Sequence, residues 1–239
     1  MSTETQRAKV LSELKNYKRK YIKKQFSGLD ESATRIMINA FLTEVLGYEE
    51  LNEIKTEFNI KGIYADYVIQ LQRKKQFVVE VKSIELDLNE RHLRQSVGYA
   101  ANEGIDWIIL TNGRCFQFYR LLFEKPIRSE LVASLEFTEA SPSQLKGYAD
   151  FLSAFSKRGV LKKEHEMLWQ RSTALAPATI SKVLYSEEIV KAVRRDLKKN
   201  TNITFEEDAV RLAIRNCLEQ RVDMSKTKFK QLKKAKNNE

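Results

Sequence analysis

The stretch Phe77-Val78-Val79-Glu80-Val81-Lys82 decides the fold prediction, because it has the composition of a buried strand and yet carries two charges. Residues two apart point to the same face of a strand, so Glu80 and Lys82 are expected to lie side by side. Phe77, Val79 and Val81 are expected to fill the opposite face. Burying a charge costs on the order of several kcal/mol, so an ion pair in so apolar a strand indicates a site rather than packing.

A second acid, Asp66, precedes Glu80 by fourteen positions and lies in the predicted neighbouring strand Tyr64-Ala65-Asp66-Tyr67-Val68. Two acids and a lysine held together make a compact site for a divalent metal and a polarised water. Mg²⁺ prefers oxygen ligands and typically takes one or two carboxylates, and Mn²⁺ is expected to substitute for it. Asp66, Glu80 and the backbone carbonyl of Val81 are the expected ligands. Lys82 is expected to orient the attacking water and stabilise charge on a phosphate. The alternative is an exposed edge strand with ordinary surface charges.

The order of predicted elements indicates an α/β fold with a mixed central sheet flanked by helices. Strands are predicted in an antiparallel meander at 54–60, 63–71 and 76–82, and later at 106–110 and 115–122. Helices are predicted at 6–26, 30–46 and 88–102. His92 and His165 are isolated, and Trp107 and Trp169 are expected in the core.

The pattern changes near residue 141, which divides the chain into three predicted parts. Residues 1–140 form the first domain. Residues 141–224 are mostly helical, with helical patterns at 143–156, 160–170, 177–198 and 205–221 and a linker at 172–177. Residues 225–239 are a lysine-rich tail that is expected to be disordered.

The net charge of +10 is unevenly distributed. Residues 1–26 carry a net +6, residues 27–140 a net −5 and residues 141–239 a net +9. This distribution suits a metal-binding core whose basic flanks grip a polyanion, although a solvated lysine-rich surface is the alternative. Within helix 6–26, the basic side chains expected to follow a phosphate backbone are Lys15, Lys18, Arg19 and Lys23.

Several classes of protein are excluded by what the sequence lacks. No run approaches the roughly 20 apolar residues of a membrane span, and Met1–Thr5 lacks the order of a secretion signal, so a cytoplasmic location is expected. The two cysteines, Cys115 and Cys217, are too far apart in sequence for a thiolate zinc motif. No GxxxxGK or GxGxxG pattern occurs, so no ATP site is predicted.

Four motifs in order resemble a known family. Asp66 with Glu80-Val81-Lys82 resembles the PD-(D/E)xK nuclease core, with Ala65 in place of the proline. The stretch from Glu31 to Tyr48 resembles the first helix of the N-terminal nuclease domain of type I restriction enzyme R subunits. Gln95–Tyr99 resembles the QxxxY motif of that domain, and Asp106–Tyr119 resembles its later strand, turn and strand. The resemblance covers roughly residues 28–122.

This resemblance implies a restriction-endonuclease-like fold and magnesium-dependent hydrolysis of DNA in a restriction or defence system. It implies that Glu31 approaches the metal from the first helix, with Glu44 as a weaker rival. The two acids are thirteen residues apart, about 20 Å along a helix, so they cannot both serve one ion. Gln95 and Tyr99 are implied to contact nucleic acid.

Alternatives to catalysis remain at this stage. The chain is expected to bind DNA, as a homodimer or with a separate restriction-system protein. The second hypothesis is a non-catalytic nucleic-acid-binding or assembly module that retains the nuclease fold. A third hypothesis makes the basic C-terminal half a docking surface for a protein or an RNA.

Overall fold

A computed structural model describes residues 3–26, 28–60 and 63–219 of the chain, with the backbone alone described at 57–60, 63–64 and 219. The chain divides into two compact units, the first ending at Trp169 and the second beginning at Gln170. The first unit extends beyond residue 140, where the sequence analysis placed the end of the first domain. The predicted tail at 225–239 lies outside the described residues.

The first unit contains one six-stranded sheet and the helices that cover it. The strands are β1 (Ile54–Ile60), β2 (Ile63–Leu71), β3 (Lys74–Val81), β4 (Trp107–Thr111), β5 (Cys115–Leu122) and β6 (Arg128–Glu136). The helices are α1 (Glu4–Tyr21), α2 (Glu31–Ala40), α3 (Glu50–Glu53), α4 (Arg94–Glu103), α5 (Pro142–Phe155), α6 (Lys157–Leu161) and α7 (Glu164–Ala174), the last of which crosses the boundary between units.

The strands lie in sequence order across a mixed sheet, β1-β2-β3-β4-β5-β6. Every neighbouring pair is antiparallel except β3 and β4, which run parallel and are joined by α4. The predicted mixed sheet flanked by helices is therefore confirmed. Strand β6 was missed because it lies at the sheet edge and exposes most of its side chains, so it has little apolar alternation.

The two faces of β3 separate as the sequence predicts. Phe77, Val79 and Val81 belong to the larger core, which α1 and α5 also line. Val78 belongs to a second core beneath α4. Trp107 is buried in the larger core, as predicted. The charged residues that follow Val78 at alternate positions therefore lie on the α4 face of the sheet.

Helix α2 begins and ends where its sequence signals predict. Asp30 caps it, with Oδ1 accepting a hydrogen bond of 2.7 Å from the Ala33 N–H. The helix continues as a π-helical turn over Phe41–Val45 and stops before Gly47, whose positive φ of 78° suits glycine. Helix α1, by contrast, ends at Tyr21 and not at residue 26, and a 3₁₀ turn follows at Lys24–Phe26.

The second unit contains α8 (Pro177–Leu184), α9 (Glu187–Thr201) and α10 (Glu207–Glu219), which confirms a mostly helical C-terminal region. The predicted helix 177–198 is divided because Ser186 caps α9. The predicted linker 172–177 is mostly helical, since α7 runs to Ala174. None of the helices in the described ranges is long and apolar enough to cross a membrane.

Candidate active site

Strands β2 and β3 stop pairing at the point where the two predicted acids lie. Their register ends with Tyr67 opposite Val79, immediately before Asp66 and Glu80. In place of a ladder hydrogen bond, the Val81 N–H donates to Asp66 Oδ2 at 2.7 Å. The Asp66 side chain is thereby fixed against the end of β3, beside the Glu80 strand segment.

Glu80 is the most deeply buried acid at this point, with 4% of its surface exposed. Its Oε1 accepts a hydrogen bond of 2.6 Å from Lys82 Nζ, and its Oε2 accepts one of 2.6 Å from Ser96 Oγ on α4. Burial raises the pKa of Glu80, and the nearby Asp66 carboxylate raises it further, although the donors on Lys82 and Ser96 act against this. The two carboxylates are therefore close enough to repel each other.

Lys82 lies between two acids on different elements. Its Nζ is 2.6 Å from Glu80 Oε1 and 3.7 Å from Glu31 Oε2 on α2. Burial lowers the pKa of the Lys82 amine, but the hydrogen bond to Glu80 and the surrounding acids outweigh it, so the pKa is raised. The amine is therefore protonated at neutral pH.

Helix α2 brings an arginine as well as Glu31. Arg35 Nη2 donates to Asp66 Oδ1 at 2.5 Å and to Glu31 Oε1 at 3.0 Å. The backbone of the same residue is anchored, because the Tyr67 hydroxyl donates to the Arg35 carbonyl at 2.8 Å. Burial and the neighbouring Asp66 raise the pKa of Tyr67 to about 12, so this hydroxyl keeps its proton.

These contacts define the Asp66 cluster, which consists of Glu31, Arg35, Asp66, Glu80 and Lys82. Three acids face two cations there, so the cluster has a surplus of negative charge. It joins one helix and two strands at the open end of the β2–β3 pair. Such an arrangement can attract a cation and present an ammonium group beside it.

The Asp66 cluster offers oxygen donors of the kind that a divalent cation requires. Within residues 3–26, 28–60 and 63–219, no group of three or more His, Cys, Asp or Glu side chains is placed to hold a metal ion. Asp66 and Glu80 do supply two adjacent carboxylates, which is the donor chemistry and number that Mg²⁺ typically takes from a protein. The residues present therefore fit a Mg²⁺ ion by the chemistry of their donors.

The family comparison agrees with this geometry. The model of the type I restriction enzyme R protein N terminus matches residues 30–132. Residues 30–132 are therefore similar to that N terminus, and they are called the R-protein N-terminal domain below. The resemblance drawn from the motifs at 28–122 is thus confirmed, and all five members of the Asp66 cluster lie inside the R-protein N-terminal domain. No curated protein and no solved structure matches the chain.

Of the two rival acids on the first helix of the R-protein N-terminal domain, Glu31 is the one beside Lys82. Glu44 lies in the π-helical turn and forms an ion pair with Lys20 on α1 at 3.3 Å. The separation follows from the helix, since thirteen residues place the two acids at opposite ends of it.

Gln95 and Tyr99 of α4 differ in exposure. Gln95 is exposed and adjoins Ser96, which contacts Glu80. Tyr99 is fully buried, and its hydroxyl lies 3.4 Å from Lys75 Nζ near the start of β3. Gln95 is thus near the Asp66 cluster, whereas Tyr99 lies toward the other end of β3.

The four basic residues predicted on the first helix are not gathered at one place. Lys15, Lys18 and Arg19 are on α1, where Lys18 donates to the Ala140 carbonyl at 2.8 Å. Lys23 follows the helix and lines a cavity of about 410 Å³ with Lys24, Arg114 and Ile84. Ile84 is two residues after Lys82, so this basic cavity adjoins the segment that leaves the Asp66 cluster.

Sequence reasoning missed Arg35, Ser96 and Arg114. Arg35 carried a usable signal, because it is four residues after Glu31 and so on the same helical face. Ser96 and Arg114 had none, since only the crossover from β3 to β4 brings α4 over Glu80, and only the β4–β5 turn brings Arg114 toward Lys23.

Proposed function

We propose that the R-protein N-terminal domain of this chain is a magnesium-dependent nuclease that hydrolyses DNA phosphodiester bonds in a restriction or defence system. One observation carries the proposal: where β2 and β3 diverge, Glu31 and Glu80 both contact Lys82, and Asp66 accepts a hydrogen bond from the adjacent Val81 N–H. The similarity of residues 30–132 to the family supports it.

Asp66, Glu80 and the Val81 carbonyl would hold the ion. When bound, Mg²⁺ supplies a polarised water and positive charge for the phosphate. Lys82, protonated because its pKa is raised, acts as a hydrogen-bond donor and a fixed positive charge and not as a proton acceptor. Ser96 orients Glu80 by its hydrogen bond to Oε2.

The substrate would reach the cluster along a basic surface. Lys23, Lys24 and Arg114 would contact backbone phosphates near the segment that follows Lys82. Gln95 would contact the nucleic acid at the start of α4, whereas the hydroxyl of the buried Tyr99 lies 3.4 Å from Lys75 Nζ near the start of β3. One site per chain favours pairing of two chains when both strands of a duplex are cut.

The test is cleavage of supercoiled and linear duplex DNA with Mg²⁺, Mn²⁺ or EDTA by wild type and Lys82→Ala. Removing one positioned donor from such a site typically costs about a hundredfold or more in rate, and that loss is expected here. Lys75→Ala is the matched control. Lys75 is on β3, which Lys82 directly follows; it pairs with Glu103 on α4, and its side chain is 21% exposed against 20% for Lys82.

Each result of this experiment has a definite meaning. Metal-dependent cleavage lost in Lys82→Ala and kept in Lys75→Ala supports the proposal. Cleavage that survives in Lys82→Ala contradicts it and points to another site or a contaminant. DNA binding without cleavage by the wild type would favour the alternative, a non-catalytic binding or assembly module.

A further inference from the structure

The four carboxylate oxygens of Asp66 and Glu80 each accept a hydrogen bond in this structure. The donors to Asp66 are the Val81 N–H and the Arg35 guanidinium. The donors to Glu80 are the Ser96 hydroxyl and the Lys82 ammonium. A cation that binds these oxygens must therefore share them with the donors or displace one.

The four donors differ in how they would respond to a cation. The Val81 N–H and the Ser96 hydroxyl are neutral, and a carboxylate oxygen has a second lone pair for a metal. Lys82 and Arg35 are positive and repel a cation at the same oxygen. Lys82 is 20% exposed and held between two acids, whereas the Arg35 side chain is 33% exposed and approaches Asp66 from a helix.

Arg35 can leave Asp66 without disturbing the fold around it. Its backbone is fixed by the hydrogen bond from the Tyr67 hydroxyl, so helix α2 stays against β2. Its guanidinium already contacts Glu31 Oε1 at 3.0 Å, four residues earlier on the same helix. The same nitrogen, Nη2, contacts both acids, so a displacement of the guanidinium toward Glu31 would free Asp66 Oδ1.

On the assumption that the proposed function holds, we infer that the Arg35 guanidinium competes with the divalent cation for Asp66. In the absence of metal, Arg35 neutralises Asp66 and keeps the Asp66 cluster assembled. When a cation binds, the guanidinium moves from Asp66 toward Glu31 and solvent. Arg35 is thus a positioning residue that sets the metal concentration at which the site fills.

The experiment measures Mn²⁺ and Mg²⁺ affinity of the full chain by calorimetry, without DNA, for wild type, Arg35→Gln, Arg35→Lys and Asp66→Asn. Arg35→Gln is expected to bind about tenfold more tightly, because one charge-assisted hydrogen bond no longer has to be broken. Arg35→Lys keeps the charge but has a shorter side chain than the arginine, whose Nη2 atom contacts both acids, so it holds Asp66 less firmly. It is expected to bind more tightly than wild type but less tightly than Arg35→Gln.

Arg120→Gln is the matched control, because Arg120 also contacts two acids, Asp106 at 2.8 Å and Glu166 at 2.7 Å. It is expected to leave the metal affinity unchanged. A second measurement follows arginine Nε–Hε signals by NMR during a Mg²⁺ titration. The Arg35 signal, identified by its loss in Arg35→Gln, should shift with the calorimetric Kd, and the Arg120 signal should stay in place.

The outcomes separate the inference from the proposed function. If Asp66→Asn binds metal as well as wild type, the proposed site itself is wrong. If Asp66→Asn loses binding but Arg35→Gln binds no more tightly than wild type, only the competition is wrong. A third outcome is that Arg35→Lys binds metal as wild type does while Arg35→Gln binds it more tightly. The gain would then come from loss of positive charge alone, and direct competition by the guanidinium would be wrong.

Discussion

Two arginines of the first unit each bridge a pair of carboxylates, in very different surroundings. Arg35 contacts Glu31 and Asp66, and a third of its side chain is exposed. Arg120 contacts Asp106 and Glu166, and 12% of its side chain is exposed. Together with Trp107, these last three residues form the Arg120 cluster.

The guanidinium of the Arg120 cluster contacts two aromatic rings. The guanidinium carbon lies 5.1 Å from the centroid of the Trp107 ring and 6.0 Å from that of Trp169, which suits cation–π contact. The Trp107 indole N–H donates to Glu166 Oε1 at 2.9 Å, so one acid accepts from both the tryptophan and Arg120. Asp106, Trp107 and Glu166 also line a cavity of about 480 Å³, so these contacts occupy the guanidinium and not all the space around the cluster.

The Asp66 cluster instead lies where backbone pairing is interrupted and where side chains from α2 remain partly exposed. Both clusters carry one more acid than base, so charge alone does not distinguish them. The comparison teaches that an interrupted strand pair and a more exposed guanidinium, rather than the residue types, separate a candidate site from a structural ion pair.

The functional difference between the two clusters is tested most strongly by neutralising one aspartate in each. Asp66→Asn is expected to reduce metal-dependent DNA cleavage by about a hundredfold or more, because it removes a charged ligand from the site. Asp106→Asn is expected to keep the rate within about twofold. Initial rates of plasmid cleavage, with thermal melting to verify folding, provide the measurement. Equal losses in two folded variants would show that the clusters are not functionally distinct.

The sequence predicts the sheet well, because its signals are local. The strand composition of 63–71 and 115–122 and the cap at Asp30 all depend on neighbouring residues. The alternation of Phe77, Val79 and Val81 against Val78 and Glu80 also predicts the two faces of β3 correctly. Strand β6 is not predicted, because an exposed edge strand needs no apolar face.

The site is predictable only in part, since its contacts join distant segments. Glu80 and Lys82 are two residues apart, so the strand period alone places them together. Arg35 reaches Asp66 across 31 residues, and Ser96 reaches Glu80 across 16. Those contacts depend on how α2 and α4 pack on the sheet, which the periodicity of neither helix specifies.

A smaller effect is expected from pH on the stability of the protein, through His165 beside Trp107 and Glu166. Burial lowers the pKa of His165 to about 4, from 6.5, although Glu166 3.4 Å away acts in the opposite direction. The unfolded chain therefore binds a proton more readily, and stability is fully present above pH 6.5 and is lost as the pH falls toward 4. Between pH 7 and pH 5 the loss should be about 1–2 kcal/mol.

Urea unfolding at both pH values measures this difference, and His165→Phe is the comparison variant. Phenylalanine keeps a ring beside Trp107 and Phe155 but has no proton to bind. The variant should lose most of the difference between pH 7 and pH 5. An unchanged difference would assign the pH dependence to another group and weaken the structural interpretation of this region.

The smallest expected effect concerns a third arginine, which extends the comparison toward an open surface. Arg114 forms an ion pair with Asp87 at 2.8 Å, and the Asp87 side chain is 97% exposed. Because solvent screens this pair, a DNA phosphate can replace Asp87 as the partner of Arg114. Arg114→Ala should weaken DNA binding several-fold and reduce the slope of log K against log salt by about one. Binding is measured in EDTA, so that no cleavage occurs.

Arg128→Ala is the matched control for Arg114, because Arg128 also forms an exposed ion pair, with Glu124, but lies on β6 and not beside the basic cavity. General loss of positive charge would reduce binding equally in the two variants, and that result would remove the basic cavity from the proposed DNA path. A reduced salt slope in Arg114→Ala alone would place a phosphate contact next to the segment that leaves Lys82.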